Sequence, residues 1–342
     1  MNTHRGLFLA LVALLIAASL STASRAQAKQ PQSQPPPDPA IVFEAGHPGG
    51  VVDLMVMNSD GSNKKILLRG GHHHMPSWSP DRSQVVFSSD TNGPGIYLIN
   101  RDGTGLCKVV GTSGDSYPGP YVGPVWSPLP FGDGFHRIAY ADTSAGSPDL
   151  LLVKAMCNAP APTNLTQSDL KTEWFPTWSR SARRIAAAVE DYSVSPSTEG
   201  IVVYDLTDYG TLISQTNVTS IPGCPLATRW VAEPDWGKTQ DKLVVEANLP
   251  FGDVGDLWII DLNNPCNAQN LTLSANSRDD EPSWSANDSE IVYRRQPFAN
   301  GQFGYPVSLY KINATTHALT ELMRGGTGKP VVNDMHFPDW RR

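Results

Sequence analysis

The 342-residue sequence contains no Cys-x-x-Cys, no His-Glu-x-x-His, no Gly-x-Ser-x-Gly and no calcium-loop pattern. Those absences remove the usual signatures of zinc sites, zinc peptidases, α/β-hydrolases and EF-hands. Charge is sparse as well: 17% of residues, 26 basic against 33 acidic, a formal net charge of −7. Phosphate recognition needs concentrated Lys and Arg, and no basic stripe is present. Nucleic acid and anionic membrane are therefore not expected partners. No stretch after residue 39 sustains a helical period, which argues against helical layers.

Long apolar runs are also missing. The longest, Gly6 to Leu20, has 15 residues, short of the ~20 that span a bilayer. Arg5 is the only charge before it, and Ala26-Gln27-Ala28 offers a small-x-small cleavage site. Residues 1–28 therefore read as a signal peptide, with an uncleaved anchor as the alternative. Residues 29–39 form a Pro/Gln-rich spacer that cannot pack a core. Cleavage would leave 24 basic residues against 33 acidic, a net −9, in a periplasmic or secreted protein with no membrane insertion. Four cysteines, Cys107, Cys157, Cys224 and Cys266, permit disulfides in that setting, with three possible pairings. Cys107, Cys157 and Cys266 occupy equivalent places in different repeats, a separation that argues against bridging them to one another. The pairing stays open.

One tripeptide is in excess. Pro-x-Trp occurs at Trp78, Trp126, Trp178, Trp236, Trp284 and Trp340, at spacings of 48, 52, 58, 48 and 56 residues. Six of the nine tryptophans lie in these copies, and recurrence at that interval marks a repeat architecture. After each copy come a turn and a β-branched run, such as Gln84-Val85-Val86-Phe87 or Glu290-Ile291-Val292-Tyr293. A second run follows, such as Ile96-Tyr97-Leu98-Ile99 or Leu257-Trp258-Ile259-Ile260. Runs of this length between Gly, Pro, Asn and Asp read as strands. A weaker fourth strand ends near Asn164-Leu165-Thr166 or Asn270-Leu271-Thr272. Four strands in roughly 40–50 residues make one propeller blade.

The last Pro-x-Trp lies two residues from the C-terminus, while residues 40–68 carry three strands without one. Joining the two ends completes a sixth sheet and leaves no open seam. The expected fold is all-β, a six-bladed propeller over residues 40–342. The motif's Trp and Pro residues are expected to pack between blades rather than bind a ligand.

The segment Pro76-Ser77-Trp78-Ser79-Pro80-Asp81-Arg82, with Phe87-Ser88-Ser89 and the later Asp102-Gly103, resembles the repeat of TolB-like β-propellers. Later copies keep Pro-x-Trp and diverge after it, as in Ser179-Arg180 and Gly237-Lys238. The resemblance implies the same fold and a periplasmic binding role. Only the spacer precedes Ala40, so the α/β domain found ahead of the propeller in the Tol system is not expected. Similar propellers also front prolyl-oligopeptidase-type peptidases, whose hydrolase signature is missing here.

Because the repeats share a register, the residues four before each Trp are expected to ring one mouth of the channel. They are His74, Val122, Trp174, Ala232, Asp280 and His336, with Glu233 and Glu281 one step nearer the Trp. His74, Glu233, Asp280, Glu281 and His336 are the candidate ligand-binding residues of that mouth. Imidazoles beside a carboxylate suit a divalent transition metal, so His74, Asp280 and His336 are candidate metal ligands. The resembling oligogalacturonate lyases place a His-held metal in such a channel. The plain alternative is that these are solvated loop side chains, with His72-His73-His74 an exposed polar loop. Two functions follow. One is an exported, non-enzymatic scaffold that binds a protein or cell-envelope component, with no cofactor. The other is a metal-dependent carbohydrate-active lyase or hydrolase.

Overall fold

Alternating apolar residues between turns commit each repeat to strands, and short connections force neighbouring strands to pair antiparallel. The computed structural model describes residues 40–112, 123–142, 148–195, 197–248, 254–326 and 334–340. The expected leader and spacer and ring position Val122 lie outside them. The described residues of the Pro36–Arg342 unit form six antiparallel sheets, each ordered outward from an inner strand that carries one Pro-x-Trp. These inner strands define blades 1 to 6: His73–Trp78, Val125–Trp126, Lys171–Trp178, Trp230–Trp236, Ser277–Trp284 and Asp334–Trp340. Among the described residues the one helical element is the 3-10 turn Pro265–Asn267.

Ring closure is as expected from the repeat count. The C-terminal strand pairs antiparallel with Ile41–Gly46, placing Ile41 opposite Trp340 and Glu44 opposite His336. Val52–Met57 and Lys65–Leu68 complete blade 6.

Each motif tryptophan packs into the gap between its own blade and the preceding one. Trp78 joins Val42, Leu54 and Val56 of blade 6 to Val85, Phe87 and Ile99 of blade 1. Trp284 likewise meets Val244, Leu257 and Leu271 of blade 4. Trp126, Trp178, Trp236 and Trp340 repeat the arrangement. The core is therefore six inter-blade layers, each centred on an indole that buries a large apolar area.

One disulfide staples successive blades, and the other ties the connection between blades 3 and 4 to blade 4. Cys107 bonds to Cys157 with Cα atoms 5.7 Å apart, and Cys224 bonds to Cys266. The sequence-based argument against joining Cys107 to Cys157 fails because the two sites are not equivalent in space. Cys107 starts the outer strand of blade 1. The turn of blade 2 reaches across to that strand's free edge, where Asn158 and Ala159 donate to the carbonyls of Lys108 and Val109. The bridge thus covers an edge as well as closing a 50-residue separation. Loop-closure entropy sets its contribution at about 4 kcal/mol. Replacing Cys107 and Cys157 together by Ser is expected to lower the denaturant midpoint accordingly; an unchanged midpoint would contradict the assigned role.

Candidate functional site

The residue before each motif proline is left-handed in all six blades. Met75, Gly123, Phe175, Glu233, Glu281 and Phe337 have φ between 44° and 53°. Side chains other than glycine rarely adopt this conformation, and it costs of order 1–3 kcal/mol. Strand pairing shifts register across it, for example between His74 and Ser77 and between Asp280 and Ser283. The proline fills a bulge that needs no ladder donor. The bulge turns these six residues onto the channel axis, where they line one cavity with the prolines and the middle residues of the motif.

Two belts of inter-blade hydrogen bonds follow from this geometry. In the upper belt, left-handed residues accept from the N–H of their counterparts in the next blade. Glu233 takes Glu281 N–H at 2.7 Å, Glu281 takes Phe337 N–H at 2.6 Å, and the Met75 sulfur takes Gly123 N–H at 3.2 Å. Phe337 has no acceptor to offer, and Glu44 from the neighbouring strand of blade 6 takes Met75 N–H instead, at 2.5 Å. In the lower belt the middle residue of Pro-x-Trp accepts from the next blade's Trp N–H. Thr177 serves Trp236 at 3.1 Å, Asp235 serves Trp284 at 2.7 Å, Ser283 serves Trp340 at 3.1 Å and Asp339 serves Trp78 at 2.7 Å.

The expected mouth residues fall into place one step differently. Phe175 and Phe337, on opposite blades, stack at 6.2 Å between centroids and form the floor of the mouth. The positions four before the Trp stand behind this ring. His74 lies 3.1 Å from Glu44, and His336 lies 2.7 Å from Glu281. Asp280 is buried against Arg294 at 2.7 Å and Arg278 at 3.0 Å. Arg278 also forks onto the buried Glu246 at 2.8 and 3.0 Å. His73 is buried between Ser89 and the Gly70 carbonyl, so His73 and His74 belong to a strand and only the partly exposed His72 precedes it.

His74, Asp280 and His336 thus each face a different charged partner. Among the described residues no three His, Cys, Asp or Glu side chains converge as a metal-ligand set. Glu44, Glu246, Arg278 and Arg294 were not anticipated. The register argument, moved one residue toward each Trp, would have found Met75, Phe175 and Phe337, but no repeat signal points to Glu44.

Electrostatics divides the carboxyl groups. Burial opposes ionisation of Glu281, but the His336 imidazole outweighs it and holds Glu281 below the usual range. Burial also disfavours a charged His74, and Glu44 reverses the balance, raising it. Among the described residues Glu233 has no cation at bonding distance. Burial, then the carboxylates of Glu246, Asp280 and Glu281, hold it well above the usual range.

No protein-family model matches the chain. Among curated proteins, the Tol-Pal system protein TolB of Rhizorhabdus wittichii is 36% identical over 84 residues, covering 24% of this chain and 18% of that protein. Among solved structures, TolB from Acinetobacter baumannii superposes with a TM-score of 0.65 at 18% identity, covering 88% of this chain and 66% of that one. A TolB-type protein from Agrobacterium tumefaciens gives 0.60 at 14% identity, covering 90% and 100%. The chain thus spans less than two thirds of the first two relatives, and the likeness to solved structures establishes the fold: a TolB-like six-bladed β-propeller.

Two outcomes test the site. Ser283→Ala leaves the buried Trp340 N–H without its acceptor and should cost about 1–3 kcal/mol in denaturant unfolding. Glu233→Gln keeps an acceptor for Glu281 N–H but cannot ionise. A raised folded-state pKa gives stability that is full below the unfolded value and lost as pH rises through the folded one. The variant's Tm advantage over the native protein should therefore grow from about pH 5 to pH 8. A constant difference across that range would show that the carboxyl is not held neutral.

Proposed function

We propose that the protein is an exported, non-enzymatic scaffold that binds a protein or cell-envelope component at the mouth floored by Phe175 and Phe337. One observation carries this reading. The side chains best suited to chemistry at the mouth are already committed: His74, Glu281 and His336 to ion pairs that join neighbouring blades, and Asp280 to the Arg294 and Arg278 guanidiniums of its own blade. A rigid, half-buried aromatic and acidic surface is left facing the solvent end of the channel. Such a surface suits recognition, in which preorganised aromatic groups contribute most of the affinity.

Similarity to TolB of the Tol-Pal system supports an envelope partner. The sequence features of residues 1–28 support export. No helix among the described residues is long and apolar enough to cross a membrane.

A photoreactive phenylalanine analogue at Phe337, introduced in intact cells, should cross-link a discrete partner. The same analogue at Tyr209, an exposed turn residue at the far end of blade 3, should not. Cross-links at Tyr209 and none at Phe337 would overturn the assignment of this face.

A further inference from the structure

The axial cavity has a volume of about 90 Å³. Its wall is mainly apolar, formed by the six motif prolines with Met75, Val125 and the two stacked phenylalanines. Four carboxyl groups reach it, and three have evident partners. Glu281 is bonded to His336, Asp235 is held by Lys238 at 2.8 Å and by Trp284 N–H, and Asp339 takes Trp78 N–H. Among the described residues Glu233 accepts only the Glu281 amide. A second, independent feature lies on the same wall. The Ser77 side chain is 2% exposed, and its hydroxyl has no hydrogen-bond partner.

We infer that this cavity holds an unbranched primary alkylammonium, the side-chain end of a lysine presented by the partner, with Glu233 as counter-ion and the Ser77 hydroxyl as a further acceptor. The inference rests on the mouth reading above. The apolar wall suits a methylene chain. One carboxyl without a bonded cation among the described residues matches the point charge of an ammonium. A planar guanidinium, by contrast, needs forked acceptors. A metal ion would need several carboxylates, and the others are already paired. Charge balance also works: one cation enters against one anion, so neither is buried alone. Because burial favours the neutral Glu233 carboxyl, an arriving ammonium displaces a proton, and binding strengthens as pH rises.

Titration calorimetry of the purified chain with n-butylammonium, 1-butanol and Nα-acetyl-lysine amide tests this. Both amines should bind saturably and the alcohol should not. Glu233→Gln should weaken the amines at least about tenfold, and Ser77→Ala should weaken them less. Affinity should rise between about pH 6 and pH 8. If Glu233→Gln fails to fold, the Ser77→Ala loss and the pH dependence still decide. Absence of saturable amine binding, or equal affinity in the native protein and Glu233→Gln, would overturn the inference. Binding of butylammonium but not of the capped lysine would overturn the lysine source in favour of a free small amine. A Phe337 cross-link retained in full by Glu233→Gln would sink the inference alone, whereas amine binding without any mouth cross-link would sink the mouth reading.

Discussion

Everything in this ring depends on crowding at its axis. Six inner strands converge there, and each escapes collision by a bulge that places one residue in the left-handed region and a proline beside it. The bulge turns a backbone N–H away from its own sheet toward the preceding blade. A buried N–H without an acceptor costs about 1–3 kcal/mol, so the preceding blade must supply one. Glu233, Glu281, Met75 and Glu44 do so above, and Thr177, Asp235, Ser283 and Asp339 below. Strain at the axis and cohesion between blades are thus two results of one local geometry.

The belts are uneven, and the unevenness explains other features. Val125 carries no side-chain acceptor and the Ser77 hydroxyl is unpartnered, so the lower belt lapses on both sides of blade 2, whose inner strand is only Val125–Trp126. The Cys107–Cys157 bridge crosses the joint between blades 1 and 2. Between blades 2 and 3, the Trp178 indole donates to the Val125 carbonyl at 3.2 Å, and Gly132 donates to Asp208. The upper belt lapses where Phe175 faces blade 4, and there Cys224–Cys266 ties the connecting segment to the blade. A disulfide thus stands at two joints where one belt lapses, and other hydrogen bonds hold the joint between blades 2 and 3.

The same geometry shapes the functional reading. Glu281 and His336 look like site residues in the sequence because they are polar, adjacent and near the axis. In the folded chain they meet each other across the joint between blades 5 and 6. Glu233 is different: it serves as a joint through one oxygen, and burial with the neighbouring carboxylates disfavours its charged form. On the proposed reading, that carboxyl is the group that meets an incoming cation.

Six copies of Pro-x-Trp at nearly regular spacing determined the sheet count, the closure by the chain ends and the burial of the indoles. Each of these follows from local pattern and from the need to leave no strand edge open. The sequence also placed Glu233, Asp280, Glu281, His74 and His336 near one mouth, since a shared register carries equivalent residues to equivalent places. It could not show that the axial ring lies one residue nearer the tryptophan, because a bulge shifts the facing of a strand without changing its composition. Nor could it pair Glu44 with His74, Glu246 with Arg278 or Cys107 with Cys157. Those contacts join residues on different blades or in turns outside the repeat register, so only the curvature of the closed ring, set by the packing of all six indole layers together, brings them within bonding distance.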